Sequence, residues 1–342
     1  MKQANKPLNI FRIKLPLYYF IISFLLGGGL YYLFFCRTKF SQDAGSSANT
    51  TTISNDQFSI TRLEGYKYIR PLLFAEREFE SGNLALIKQD IANYIDAEKK
   101  TGMLLSASVY LRVFLRGEWI SVNSDSLYHP ASMNKVPILI TYLHMAESYN
   151  SLMNQKLFFE KHDKSLPVQT YTSKSLEPGH SYTIQELLHY MIAYSDNDAT
   201  FLLLEHINLD MYNKTFTDIG LAKPSFKYDE FLMTARQYSL FMKELYNASY
   251  LSIPASEYAT NLLTECDFKE GLLKKLPSTV VAAHKFGESG YGNVYELHES
   301  GIIYMGKNAY LITIMTKGTN IKYLSGVIAD LSNLVYNKVT FD

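Results

Sequence analysis

Apolar residues recur at three- and four-residue intervals from Leu84 to Ala97, where Leu84, Ile87, Ile91, Tyr94 and Ile95 share one face, and this spacing predicts a helix packed on a sheet. The pattern then changes. Branched and aromatic residues from Leu104 to Phe114, a turn at Arg116-Gly117 and the run Glu118 to Val122 predict a β-hairpin. Tyr128 to Lys135 is polar and leads into VPILITYLHMAE, long enough for a helix beginning near Ser132 that tolerates Pro137 only in its first turn. Thr183 with Glu186 forms a capping-box pattern, and the helix after it should run to Ser195-Asp196-Asn197, where Asp198 would cap a second helix over ATFLLLEHI. Thr234 with Gln237 starts another helix, and Ala255–Leu263 and Glu270–Lys275 add two short ones. Strands return at Thr279–His284, Val294–Met305 and Ala309–Thr316, and Tyr323 to Val339 has helical spacing again. The order is strand, strand, helices, three strands, helix: an α/β (α+β) arrangement in which about five antiparallel strands come from both chain ends around an inserted helical part.

One apolar stretch does not fit this domain. Leu17 to Cys36 carries no charge over 20 residues, about 30 Å as a helix, which matches a bilayer core. Lys2, Lys6, Arg12 and Lys14 precede it and Arg37 and Lys39 follow, predicting an uncleaved single-pass anchor with a cytoplasmic N-terminus and the remainder outside the membrane. The polar run Gln42 to Asn55 reads as a spacer. The expected organisation is a tail at 1–16, an anchor at 17–36, a flexible linker at 37–60 and a domain at 61–342.

The charge balance supports that division. The chain has 33 basic and 33 acidic residues. Residues 1–40 hold six basic and no acidic ones, leaving 27 against 33, or −6, for the rest. An acidic domain without a basic aromatic surface argues against a nucleic-acid partner. Cys36 and Cys266 are too few for a disulfide scaffold, and no His/Cys/Asp/Glu spacing compels a metal or other cofactor.

Candidate chemistry begins at Ser132. A serine hydroxyl needs a proton acceptor to become a nucleophile, and Lys135, one helical turn on, returns to the same face. To act as that acceptor the lysine must be buried beside positive charge; exposed, it would stay protonated. Ser195-Asp196-Asn197 would place a serine and an amide on a bend, and Lys285-Phe286-Gly287 a lysine at the end of a strand. Each triplet has a bland reading as a turn or surface lysine. Together, in this order and context, they carry more weight.

Ser-x-x-Lys at a helix start, Ser-Asp-Asn between helices and Lys-x-Gly on a later strand resemble the class A β-lactamase and penicillin-binding-protein superfamily, from about Leu84 to the C-terminus and including Gly271-Leu272-Leu273 to Leu276-Pro277. The resemblance implies a three-layer β-lactamase/transpeptidase-like fold and acyl transfer. Ser132 would attack a β-lactam or D-alanyl amide, Lys135 would take its proton, and Ser195 with Lys285 would protonate the departing nitrogen. Asn197 would position the substrate, the backbone N–H groups of Ser132 and Glu288 would form the oxyanion hole with Gly287 beside it, and Asp196 would fix the bend.

Two departures are visible. Phe286 stands where the family has a hydroxyl for the substrate carboxylate, and no Glu-x-x-Leu-Asn pattern supplies a water-activating glutamate between Gly220 and Thr234. Glu230 is the candidate base in that segment; Glu288, Glu296 and Glu299 are alternatives, with His284 and His298 expected in hydrogen bonds rather than catalysis. The expected function is a membrane-anchored β-lactamase-like hydrolase with slow deacylation. The alternatives are a D-alanyl-D-alanine peptidase, an esterase using the same serine, and a nonenzymatic cell-wall or protein-binding descendant.

Overall fold

The structure, a computed structural model, describes residues 50–341 apart from 55–57, 64, 66–70, 164–168, 172 and 226–230. Its centre is a five-stranded antiparallel sheet in the order β5-β4-β10-β9-β8, with β4 at Leu104–Val113, β5 at Glu118–Val122, β8 at Val281–Tyr291, β9 at Val294–Met305 and β10 at Asn308–Gly318. The two chain ends therefore meet at the β4–β10 pair, where Ile312 faces Leu111.

Both faces of the sheet are covered, which is why β4 and β10 are buried almost without interruption rather than at every second residue. On one face lie α1 (Ala85–Lys99) and α8 (Ile321–Tyr336), whose Ile91, Ile95, Leu324, Ile328 and Leu331 share a core with Tyr310, Ile312 and Ile314. On the other, Leu311 and Met315 meet the helical insertion. That insertion contains α2 (Lys135–Ser148), α3 (Ile184–Ala193), α4 (Asn197–Leu204), α5 (Leu209–Thr217), α6 (Ala235–Asn247) and α7 (Ile253–Thr264). Two threonines are buried on β10: the Thr313 hydroxyl bonds those of Ser239 and Ser300, each at 2.7 Å, and the Thr316 hydroxyl donates to Leu297 O at 2.5 Å.

The expected hairpin, the capping boxes at Thr183 and Thr234, and the three late strands are all present. Other expectations need correction. Asp196, not Asp198, caps α4, because its carboxylate accepts the Ala199 N–H at 2.5 Å. Residues 270–275 form turns instead of a helix: Leu272 N–H donates to buried Glu299 at 2.7 Å, and a Cβ on Gly271 would lie 1.9 Å from that carboxylate. Strand β8 continues seven residues past His284, through Lys285-Phe286-Gly287 to Tyr291.

The N-terminal organisation also differs. Thr50–Ser54 (β1), Phe58–Leu63 (β2) and Leu72–Arg77 (β3) form a separate antiparallel sheet, so the end of the expected linker is strand. Glu76 of β3 accepts from Arg112 of β4 at 2.8 Å and from Lys243 of α6 at 2.5 Å, tying that sheet to the main body.

The expected anchor at 17–36, with the single-pass topology, membrane location and membrane partnership built on it, lies outside the described residues. Among those described, no helix is long and apolar enough to cross a membrane. The longest, α8, has 16 residues, about 24 Å where a crossing needs about 30 Å. Membrane anchoring is accordingly withdrawn from the functional reading.

Candidate active site

Ser132 sits in a single 3-10 turn, Ala131–Asn134, that runs directly into α2. Pro137 falls in the first turn of that helix, where its missing N–H has no intrahelical acceptor to lose. Ala131 has φ +51° and Ser195 φ +54°, a left-handed conformation uncommon outside glycine. Two of the four such non-glycine residues among those described thus stand at the nucleophile turn and the second motif.

Lys135 joins the motifs. Its Nζ lies 3.1 Å from Ser132 Oγ and 3.1 Å from Ser195 Oγ, and donates to Ser195 O at 2.6 Å and to Asn197 Oδ1 at 2.8 Å. None of these partners is a carboxylate. The side chain is buried, and burial first, then the positive charge of Lys285, push its pKa well below that of an ordinary lysine. A neutral amine 3.1 Å from the serine oxygen can receive its proton.

Ser195 Oγ has a second lysine neighbour. Lys285 Nζ donates to it at 2.9 Å and to Phe286 O at 3.1 Å, with burial bringing the Lys285 pKa down to about 8. Ser132, Lys135, Ser195 and Lys285 therefore form a continuous chain of contacts no longer than 3.1 Å. Asp196 holds the bend by capping α4, and burial raises its pKa.

Strand β8 lies close against the nucleophile turn. A Cβ at position 287 would come 2.5 Å from Pro130 O and 2.9 Å from Met133 N, so only glycine allows this approach. The next residue, Glu288, lines a cavity of about 690 Å³ together with Ser132, Lys135, Gln169, Asn197 and Phe231. Glu288 Oε1 accepts the Tyr171 N–H at 3.2 Å, while Oε2 is buried without a hydrogen-bond partner.

The fold thus brings Ser132, Lys135, Ser195, Asn197 and Lys285 together, with Gly287 and Glu288 beside them. Phe286 meets this group through its carbonyl and through its ring, whose centroid lies 4.1 Å from Lys285 Nζ. Its side chain is 1% exposed and stacks on Phe268 with ring centroids 4.2 Å apart, away from the cavity lining. Glu299 is buried against His284 at 2.7 Å. Glu296 accepts from His129 N–H at 3.1 Å; burial opposes its ionisation, yet His298, that N–H and Lys317 hold its pKa down to about 2. Glu230 lies outside the described residues. The sequence signals did not reveal Gln169, whose Nε2 donates to Ser132 Oγ and Asn197 Oδ1 at 3.3 Å each. It belongs to no motif, and only folding brings its loop over the nucleophile.

Two serines bridged by buried lysines at the edge of a three-layer α/β domain define a serine hydrolase of the β-lactamase and penicillin-binding-protein type. The family described as Beta-lactamase enzyme family matches residues 86–339. The chain belongs to that family. It is 23% identical over 240 residues to the β-lactamase VEB-1 of Pseudomonas aeruginosa, covering 64% of this chain and 80% of that one. Among solved structures, PBP-A superposes with a TM-score of 0.63 at 20% identity, over 74% of this chain and 96% of that one. The TLA-1 extended-spectrum β-lactamase gives 0.64 at 19%, over 75% and 98%. These likenesses establish a shared fold.

Proposed function

We propose that the protein is a D-alanyl-D-alanine peptidase of the penicillin-binding type, with Ser132 as nucleophile. The observation that carries this reading is the unbroken Ser132–Lys135–Ser195–Lys285 chain. Neutral Lys135 takes the Ser132 proton as Oγ bonds to the D-alanyl carbonyl carbon. The backbone N–H groups of Ser132 and Glu288 receive the developing oxyanion. As the C–N bond breaks, Ser195 hands its proton to the departing nitrogen and is recharged from the lysines, leaving an ester on Ser132. Asn197 orients the donor peptide. Water or an amine then releases the acyl group.

The membrane-anchored β-lactam hydrolase expected from sequence is replaced by this reading. The segment between Gly220 and Thr234 lacks the Glu-x-x-Leu-Asn pattern that would supply a glutamate for rapid deacylation. Within the fold neighbourhood, a mutant of PBP-A is described as an acyl-enzyme complex with penicillin G, at a TM-score of 0.62, which supports a penicillin-binding reading.

Intact-mass measurement of a fluorescent penicillin adduct tests the assignment. A persistent adduct on the wild type, absent from folded Ser132→Ala, is expected. An equally labelled Ser132→Ala protein, or no adduct on folded wild type, would sink it.

A further inference from the structure

Glu288 sits where substrate recognition takes place. It follows Gly287 on the strand that presses against the nucleophile turn, and it lines the same cavity as Ser132 and Lys135. Among the described residues lining the cavity it is the only carboxylate. One of its oxygens is occupied by the Tyr171 N–H, and the other is buried with no partner. A buried acceptor left without a donor is unfavourable until something supplies an N–H or O–H.

The electrostatics agree. Lys135 and Lys285 would make the site attractive to an anion, but the Glu288 charge acts on both and opposes their positive potential. Phe286, which shares a strand face with Glu288 by alternation, adds no hydroxyl and is buried against Phe268. A free carboxylate on the leaving group would thus meet a like charge and find no hydroxyl from either residue. An ammonium or amide N–H would satisfy the unpaired oxygen. Gln169 Nε2 donates to Ser132 Oγ, and the backbone N–H of Tyr171, two residues on, donates to Glu288, so one short segment touches both the nucleophile and the carboxylate.

We infer that Glu288 is a specificity-determining residue that selects D-alanyl amides whose leaving group presents an ammonium or N–H donor, as in a cross-link or an amidated terminus, over those ending in a free carboxylate. This rests on the reading of Ser132 as a D-alanyl peptidase nucleophile and shifts its preferred leaving group away from free D-alanine, so acylation by carboxylate-bearing substrates, penicillin included, is slowed but still depends on Ser132.

The test uses one acetylated peptide ending in D-Ala-D-Ala as free acid, primary amide and 2-aminoethyl amide, each followed by Ser132 acylation and by release of the amine. For the wild type, kcat/KM should fall from aminoethyl amide to amide to acid, with the extremes at least about tenfold apart. Glu288→Gln should shrink that spread to about threefold or less, and Glu288→Asp should keep the order. Both variants are compared at matched thermal stability. Acylation that favours the free acid, or a spread unchanged in Glu288→Gln, overturns the inference and leaves the peptidase reading standing. Failure of all three peptides to acylate Ser132 overturns both.

Discussion

Among the described residues two places bury lysine almost completely, and they use it in opposite ways. Lys243 meets Glu76 at 2.5 Å, with Arg112 on the same carboxylate at 2.8 Å and the Phe74 ring 3.5 Å from its Nζ. Burial lowers the Lys243 pKa to about 8, and against its own burial Glu76 is held below the usual carboxylate range by the two cations. That lysine is committed to an ion pair. Lys285 also comes down to about 8, but its partners are a hydroxyl, a carbonyl and the Phe286 ring 4.1 Å away, and burial pushes Lys135 well below an ordinary lysine too. Burial alone makes a lysine unusual; the absence of a bonded carboxylate leaves it free to exchange a proton.

Exchanging these roles should separate activity from stability. Lys135→Ala should lower penicillin acylation by about 10³-fold or more while the protein stays folded; an acylation rate within tenfold of wild type would erase the distinction. Glu76→Ala should do the reverse, destabilising by about 3 kcal/mol in denaturant titration because two cations lose their carboxylate, with acylation per folded molecule unchanged.

Titration sharpens the contrast further. Lys285 must carry its proton to assist leaving-group protonation, so kcat/KM should fall above about pH 8, by about tenfold per pH unit once well past it. In Lys285→Arg that limb should move out of the accessible range. The smallest effect belongs to Glu244, one residue from Lys243, whose buried carboxylate has no hydrogen-bond partner and whose pKa burial raises to about 8. The folded state keeps a proton that the unfolded chain releases above its ordinary value of 4.5, so stability falls as pH rises between these values. Glu244→Gln should therefore gain about 1 kcal/mol at pH 8, with the difference shrinking toward pH 4.5.

Much of the fold was readable because both local periods were strong: Ile87, Ile91 and Ile95 do lie on the buried face of α1, and Thr183 does cap α3. The errors have local causes. Asp196 and Asp198 are both able caps, and only the bend geometry decides between them. Strand β8 was cut short because Lys285 and the two glycines after it weaken a strand pattern, although pairing with β9 continues through Tyr291. Of the site, the three motifs carried what was legible. The burial of Phe286 against Phe268, the unpaired oxygen of Glu288 and the placement of Gln169 depend on contacts between segments up to 117 residues apart, as at Glu288 and Tyr171. Periodicity does not reach that far.

The split sheet bears on how the protein comes into being. Ser132 is translated 156 residues before Glu288, a delay of about 8–30 s at ordinary elongation rates. Over that interval Lys135 and the Ser195 bend exist without Lys285 or the strand that closes on the nucleophile turn. A chain truncated before Lys285 keeps Lys135 beside Ser132 but lacks both the second lysine on Ser195 and the strand that closes on the nucleophile turn.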